Sequence, residues 1–282
     1  MGINLDQERL HRGFMGHHGQ MHAQPGVGTR PDTPVEVGAR EDATPAPEPP
    51  DSGALEQRYL PATSFRSRRS ALSGAQRQTW ERLWPELGMS ETPRRAEPLD
   101  TSAWFGRAAP VVLEIGCGSG TSTLAMAQDE PDIDVIAVEV YRRGLAQLLC
   151  AIDRAQVGNI RLIRGNGIDV LEHLIAPGSL SGVRVFFPDP WPKARHHKRR
   201  FLQPITIGLI ADRLLPGGVL HAATDHPGYA EQIAEVGDAE PRLCRVDPGS
   251  LLPISIVRPT TKYEMKAQEV GSSVTELIWK RR

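Results

Sequence analysis

Val111-Val112-Leu113-Glu114-Ile115-Gly116-Cys117-Gly118-Ser119-Gly120 decides the fold. Its first half is the β-branched, apolar run of a buried strand, and its second half is a glycine-rich turn. Thr121 to Ala127 then suit a helix. Four similar runs follow, Val135–Val138, Ile160–Ile163, Val183–Phe187 and Val219–Ala223, alternating with helical stretches. That alternation predicts an α/β domain with a mostly parallel, doubly wound sheet covered on both faces. Leu215-Pro216-Gly217-Gly218 ends a helix and turns directly into the fifth run. Val274 to Trp279 alternates and is expected to add an antiparallel strand to one edge near the C-terminus. Upstream, Trp80, Leu83, Trp84 and Leu87 recur at helical spacing within Gln76–Leu87, which predicts a helix packed on the core. No internal repeat is visible.

In such a sheet, ligands collect at the carboxyl ends of the strands, where Gly116 and Gly118 allow close approach and the helix start favours an anionic group. A glycine loop alone is also what a tight turn looks like. Glu139, at the end of the second strand and about twenty residues beyond the loop, strengthens the nucleotide reading because an acid there can take both ribose hydroxyls. The dinucleotide fingerprint needs a small residue at position 121, where this chain has Thr121. Glu114, inside the strand end, would repel a pyrophosphate and stabilise a cationic sulfonium. Both features turn the expected cofactor from NAD to S-adenosylmethionine, and the fold to the class I type of methyltransferase that uses it. Asn166 in Arg164-Gly165-Asn166-Gly167 could then hydrogen-bond the adenine edge, with the methionine carboxylate by Ser119 to Ser122.

Composition sets the outer bounds. The chain has 282 residues with 33 Lys+Arg against 34 Asp+Glu, but residues 1–60 carry a net charge of about −4 and 61–282 about +3. Residues 1–60 are polar, acidic and interrupted by seven prolines, so they are expected to be a disordered extension, with 61–282 the folded methyltransferase domain. His11, His17, His18 and His22 lie in that tract without Cys or paired carboxylates, and no metal is expected there. Cys117, Cys150 and Cys244 are widely spaced, which disfavours a disulfide framework or a structural zinc site and suits a reducing cytoplasm. No apolar stretch reaches 18 residues and the N-terminus lacks a basic start before an apolar run, so no membrane association or secretion is expected. Nothing in the sequence demands a stable protein partner. Arg66-Ser67-Arg68-Arg69-Ser70 has two readings, an ordinary solvated surface or an arm that touches phosphates, and taken by itself the first is favoured.

After the fourth run comes Phe186-Phe187-Pro188-Asp189-Pro190-Trp191-Pro192-Lys193-Ala194-Arg195-His196-His197-Lys198-Arg199-Arg200. Two prolines bracket Asp189 and fix the backbone beside it, which holds one carboxylate at the cofactor's edge. A flanking aromatic could stack on a base. Lys193, Arg195, Lys198, Arg199 and Arg200 place five cations in eight residues. Charge runs are usually solvated faces, but beside a cofactor pocket this one reads as a phosphate footprint, with Arg195, Lys198, Arg199 and Arg200 as RNA contacts.

At these residues the chain closely resembles the bacterial tRNA (guanine-N7-)-methyltransferases. The similarity covers roughly 60 to 282 and rests on Leu113–Gly118, the Phe186–Arg200 block, Ala223-Thr224-Asp225 and Arg258-Pro259-Thr260-Thr261-Lys262-Tyr263-Glu264. The resemblance implies methyl transfer from S-adenosylmethionine to N7 of a tRNA variable-loop guanosine, position 46. It implies that Glu114, Glu139, Asn166 and Asp189 contact the cofactor, that Asp189 is also catalytic, and that Lys193, Asp225, Thr261, Lys262, Tyr263 and Glu264 contact the substrate. Many members have Asp where this chain has Asn166, a swap that keeps an acceptor and removes a charge. The N-terminal extension lies outside the resemblance.

Read without the resemblance, Asp225 could be a helix N-cap and Lys262 with Glu264 a surface ion pair. Guanine N7 has a free lone pair, so no general base is required, and alignment with electrostatic support is what the protein must supply. Asp189 is expected to hold the guanine N1 and N2 donors, sharing recognition with Asp225 and Glu264. The rival readings are a non-catalytic RNA-binding protein, another nucleic-acid base methyltransferase, for which an Asn/Asp-Pro-Pro-aromatic order would be usual, and an NAD-dependent oxidoreductase.

Overall fold

In a computed structural model of the chain, the described residues are 71–90, 97–247, 249–259 and 273–282. Thr261, Lys262, Tyr263 and Glu264, the Arg66–Ser70 stretch and the expected disordered extension lie outside them. The first helix, α1 (Gly74–Leu87), starts at a reciprocal capping box in which Ser73 and Gln76 satisfy each other's backbone N–H groups. It lays Trp80 and the stacked Trp84, with ring centroids 4.0 Å apart, against the core. A short strand β1 (Gly88–Ser90) and helix α2 (Thr101–Phe105) follow. The alternating part then runs β2 (Val111–Ile115), α3 (Thr121–Asp129), β3 (Asp134–Glu139), α4 (Arg142–Ala155), β4 (Ile160–Arg164), α5 (Gly167–His173) and β5 (Leu180–Phe186). A 3₁₀ turn (Ala194–Arg199) leads to α6 (Pro204–Arg213), β6 (Leu214–Thr224), α7 (Pro227–Ala239), β7 (Leu243–Arg245) and β8 (Thr275–Arg281).

These strands form one sheet in the order β1-β4-β3-β2-β5-β6-β8-β7. All pairs are parallel except β6 with β8 and β8 with β7. The five expected strands are present, and the C-terminal strand is antiparallel as expected. The outermost position, however, belongs to Leu243–Arg245, which pairs outside β8, and Gly88–Ser90 closes the other side. Three-residue strands carry too few positions to show a period of two, so neither was legible in the sequence.

Residue alternation sends Leu113, Ile115, Ile136, Val138, Val183 and Val185 to one face, under Val170 and Leu171 of α5, Ile207 and Ile210 of α6, and Tyr229 and Ile233 of α7. Val135, Ala137, Ile160 and Leu162 face the other way, against Trp80 of α1 and Leu145, Leu148 and Leu149 of α4. Farther along that second face, Ile254 packs on Val112, Val219 and Ile278.

The same second face carries charge. Glu114 of β2 stands opposite Arg184 of β5, which stands opposite His221 of β6. Arg184 is 0% exposed and donates from Nη2 to Glu130 Oε2 at 2.6 Å and to the Ser255 carbonyl at 3.1 Å. Glu130 Oε1 accepts from the Ser255 amide. His221 pairs with Glu276, which also accepts from Arg258 at 2.9 Å. Burial alone would raise the Glu276 carboxyl; the His221 ring and the Arg258 guanidinium outweigh it and hold that carboxyl below its usual range. A group so depressed contributes stability that is present above its unfolded pKa and lost as pH falls through the folded one.

A guanidinium buried among acids is costly to remove, because its partners stay behind unpaired. Arg184→Met is expected to lower unfolding free energy by about 3–5 kcal/mol in chemical denaturation. Adding Glu114→Gln to that variant should restore part of the loss, whereas simple additivity would mean that the two side chains do not interact.

Candidate active site

The order of strands reverses between β2 and β5, where successive crossovers leave in opposite directions. Crevices open at that point of a doubly wound sheet. A cavity of about 920 Å³ lies there, lined by Gly116 after β2, Glu139 after β3, Asn166 and Gly167 after β4, and Phe187, Pro188, Asp189 and Trp191 after β5. Lys198, Arg199, Arg200, Phe201 and Thr206 complete its wall.

The glycine loop takes its shape from three left-handed residues, Gly116, Gly118 and Gly120, with φ of 78°, 57° and 74°. Helix α4 comes so close to it that a Cβ on Gly144 would lie 2.2 Å from the Gly118 carbonyl oxygen. Glu139 braces the arrangement. Its Oε2 accepts from the Gly118 amide at 3.0 Å, and its Oε1 accepts from the Val140 and Tyr141 amides at 2.7 and 3.0 Å. A carboxylate offers about four lone-pair sites, so the group that faces the cavity is already largely engaged in holding the loop. Asn166 is the N-cap of α5, with Oδ1 accepting from the Ile168 amide at 3.0 Å.

Glu114 lies beside this cavity and outside its lining. It is 3% exposed, and its Oε2 has no hydrogen-bond partner among the described residues. Burial raises its pKa, with Arg184, the Thr123 hydroxyl and Arg258 offsetting only part of that. An orphaned buried carboxylate oxygen at the end of the central strand fits a cationic ligand group. Burial, together with Glu114 and Glu139, pushes the neighbouring Cys117 thiol well above its usual range, which argues against a thiolate relay.

The Asp189 loop is strained. Phe187 and Trp191, one on each side of Pro188-Asp189-Pro190, adopt φ of 49° and 43°. Bulky residues in the left-handed region cost about 1–2 kcal/mol each, and persist only where the surroundings fix them. The Phe187 amide donates to the Ala223 carbonyl at 2.8 Å, and the Arg258 guanidinium sits 4.9 Å above the Phe187 ring. On the far side, the Arg199 guanidinium lies 5.0 Å from the Trp191 ring centre and His196 meets that ring edge-on. Partial desolvation and the cations Arg199, Arg195, Lys193 and Lys198 hold the His196 imidazole below its usual pKa. So crowded a set of like charges gives this face of the loop a positive potential.

The expected site residues therefore divide. Gly116, Glu139, Asn166, Asp189, Lys198 and Arg199 meet at one cavity. Gly118, Lys193, Arg195 and Asp225 do not line it; Lys193, Arg195 and Asp225 are exposed. Asp225 is not the cap of α7, since His226 takes that place and its Nδ1 accepts from the Tyr229 amide.

Arg200 requires a correction. It was expected to face RNA phosphates, but it is 3% exposed. Its Nε donates to the Pro190 carbonyl at 2.8 Å, and its Nη1 donates to Gln232 Oε1 at 2.6 Å and the Gly228 carbonyl at 3.2 Å. Its Nε and Nη1 donors are thus spent on protein acceptors, while the residue also forms part of the cavity wall. Phe201 and Thr206, also in the wall, escaped the sequence reading because nothing in their spacing sets them apart from core residues. Asp169, Glu172 and His173 bring ligand atoms within 4.8 Å of one another, a spacing common for half-exposed charges on one helix.

A family model described as "Putative methyltransferase" matches residues 108–277. A tRNA (guanine-N(7)-)-methyltransferase of Mycobacterium avium (strain 104) is 71% identical over 273 residues, covering 95% of this chain and all of that protein. The tRNA (guanine-N(7)-)-methyltransferase of Mycobacterium tuberculosis (strain ATCC 25618 / H37Rv) is 69% identical over 272 residues, 95% of this chain and 96% of its own. Residues 61–282 alone cannot fill such a share, so the similarity reaches into the N-terminal sixty residues. A solved 30S ribosomal A1408 methyltransferase from an uncultured bacterium is 13% identical, with a TM-score of 0.44 over 69% of this chain and 98% of that one. At this identity across almost the whole of both sequences, the chain belongs to the tRNA (guanine-N(7)-)-methyltransferase family.

Proposed function

We propose that this chain methylates N7 of a variable-loop guanosine in tRNA, position 46, using S-adenosylmethionine, and that residues 61–282 form the methyltransferase domain. One observation carries the reading. A single cavity joins Gly116, Glu139 and Asn166, suited to a nucleoside, with Asp189, Lys198 and Arg199, suited to a guanine and its phosphates. Among the described residues no helix is long and apolar enough to cross a membrane, and a cytoplasmic enzyme with tRNA as its macromolecular partner fits the substrate.

When bound, the cofactor supplies an electrophilic methyl group on a sulfonium sulfur, which a ring nitrogen with a free lone pair can accept without first losing a proton. Glu139, Asn166 and the Gly116–Gly118 loop hold the nucleoside part, and Glu114 offers its orphaned oxygen to the cationic end. Asp189, whose backbone has little freedom between two prolines, accepts from the guanine N1 and N2 donors and offsets positive charge growing on the purine. Asp225 and the segment Thr261, Lys262, Tyr263 and Glu264 share substrate recognition, with Lys193, Arg195, Lys198 and Arg199 placed for the RNA backbone. The target base must leave its tertiary pairing first, at a cost of a few kcal/mol that backbone contacts offset.

Incubation with labelled S-adenosylmethionine and unmodified tRNA, followed by nucleoside analysis, should yield 7-methylguanosine; another product, or none, contradicts the reading. Asp189→Asn is expected to lower kcat by about 10²–10³-fold. Near-full turnover with weaker tRNA binding would remove Asp189 from the chemistry. Arg199→Gln should reduce the slope of log affinity against log salt by about one, and an unchanged slope places Arg199 away from phosphate.

Cofactor affinity should also depend on pH. The Glu114 carboxyl, raised above 4.5, stays protonated into the range above that value in the free protein, and a cationic ligand favours its ionised form. Affinity therefore rises with pH through the raised pKa, by at most about tenfold per pH unit. Calorimetry on Glu114→Gln should show weaker binding without that dependence; a wild-type affinity flat across the range contradicts the pairing.

A further inference from the structure

We propose that Arg200 is the positioning residue of the methyl-transfer site, holding the Asp189 loop against the start of α7. The inference rests on the reading of Asp189 given above and adds what fixes that residue.

Three independent features meet at this side chain. The first is the fork. Nε reaches the Pro190 carbonyl, one residue past Asp189, while Nη1 reaches the Gly228 carbonyl and the Gln232 amide oxygen, both in the first turns of α7. Only a planar guanidinium spans acceptors on two elements at once; an ammonium is a point donor.

The second is the seat. The Arg200 guanidinium lies 4.7 Å from the centre of the Tyr229 ring, and Tyr229 is fully buried. Its hydroxyl accepts from the Leu202 amide at 3.0 Å, and Gln232 Nε2 donates to the Leu202 carbonyl at 3.4 Å. Burial pushes the Tyr229 hydroxyl up to about 12, so the ring under the guanidinium stays neutral. Arg200 thus sits, 3% exposed, in a polar socket at the cavity wall, built from the loop, from its own following residues and from α7.

The third is the strain on both sides of Asp189. The left-handed Phe187 is fixed by the hydrogen bond of its amide to Ala223. The left-handed Trp191 follows directly on Pro190, whose carbonyl Arg200 holds. Asp189 is therefore suspended between two anchors, a strand-end hydrogen bond before it and the Arg200 fork after it. The same fork reaches α7, whose N-cap His226 follows Asp225, so one side chain sets the spacing between two carboxylates assigned to the guanine. That is a function distinct from the phosphate contacts of the exposed Lys198 and Arg199.

The test compares Arg200→Met, Gln232→Leu and Arg199→Gln with the full-length wild type. A misplacement of about 1 Å at a reacting group can cost on the order of 10²-fold in rate. Arg200→Met is expected to lower kcat at saturating tRNA by about 10–100-fold, with cofactor affinity and the salt slope of tRNA binding at wild-type values. Amide hydrogen exchange at Phe187 and Leu202, whose amides are bonded to the Ala223 carbonyl and the Tyr229 hydroxyl at the two ends of the loop, should accelerate. If the salt slope falls by about one while kcat and exchange stay at wild-type values, Arg200 is a phosphate contact and the proposal is overturned. Gln232→Leu keeps the charge and removes one acceptor; it should give a smaller fall in kcat with faster exchange in the same loop, and it carries the test alone if Arg200→Met does not fold. Wild-type kcat and exchange in Gln232→Leu would overturn the proposal in that case. Exchange in the loop is read without any substrate, so a wild type that makes no 7-methylguanosine defeats the proposed reaction while leaving the clamp to be judged on its own.

Discussion

The parallel pairing of Val112–Ile115 with Gly182–Val185 is the constraint from which the site follows. Because β2 and β5 are neighbours while their crossovers run in opposite directions, no helix covers their carboxyl ends, and the chain leaving each strand must turn over open space. The glycine loop turns on one side and the Pro188-Asp189-Pro190 loop on the other. The glycine loop and the Asp189 loop thus face one cavity as a consequence of the topology.

The two loops are stiffened by opposite means. The glycine loop lacks side chains, so its shape is imposed from outside by the Glu139 carboxylate and by the close approach of Gly144. The Asp189 loop is stiff in itself, since two prolines fix its φ angles, and it carries left-handed Phe187 and Trp191 that must be held in place. Beneath both, the row Glu114, Arg184 and His221 with Glu130, Glu276 and Arg258 keeps charge inside the sheet's second face. Buried charges of this kind seldom add net stability. Here they tie residues 254–259 to the sheet and keep the Glu114 carboxylate buried behind the glycine loop.

Much of this was legible in the residues. The five β-branched runs gave the central strands within a few positions, because strands buried on both faces read as continuous apolar segments. The glycine loop and the acid after the second strand pointed to the strand ends where the structure has its cavity, because nucleotide sites need close backbone approach and a ribose acceptor. Two things were hidden. The edge strands Gly88–Ser90 and Leu243–Arg245 are too short to show a period. Arg200 looks, in sequence, like the last of five equivalent cations; only the apolar Phe201 and Leu202 after it hint that the chain turns inward there. Arg184, by contrast, left a usable signal, since a lone Arg inside Val183-Arg184-Val185-Phe186 has to find buried acids, and the structure puts Glu114 on the neighbouring strand.

The most direct measurement of the central claim uses a tRNA whose target guanosine is replaced by 7-deazaguanosine, which keeps the N1 and N2 donors and puts carbon where N7 was. Methyl transfer to this RNA should vanish while its binding stays within a few-fold of the unmodified tRNA. Transfer that persists would mean that the cavity beside Asp189 presents some other atom to the donor, and would contradict the account.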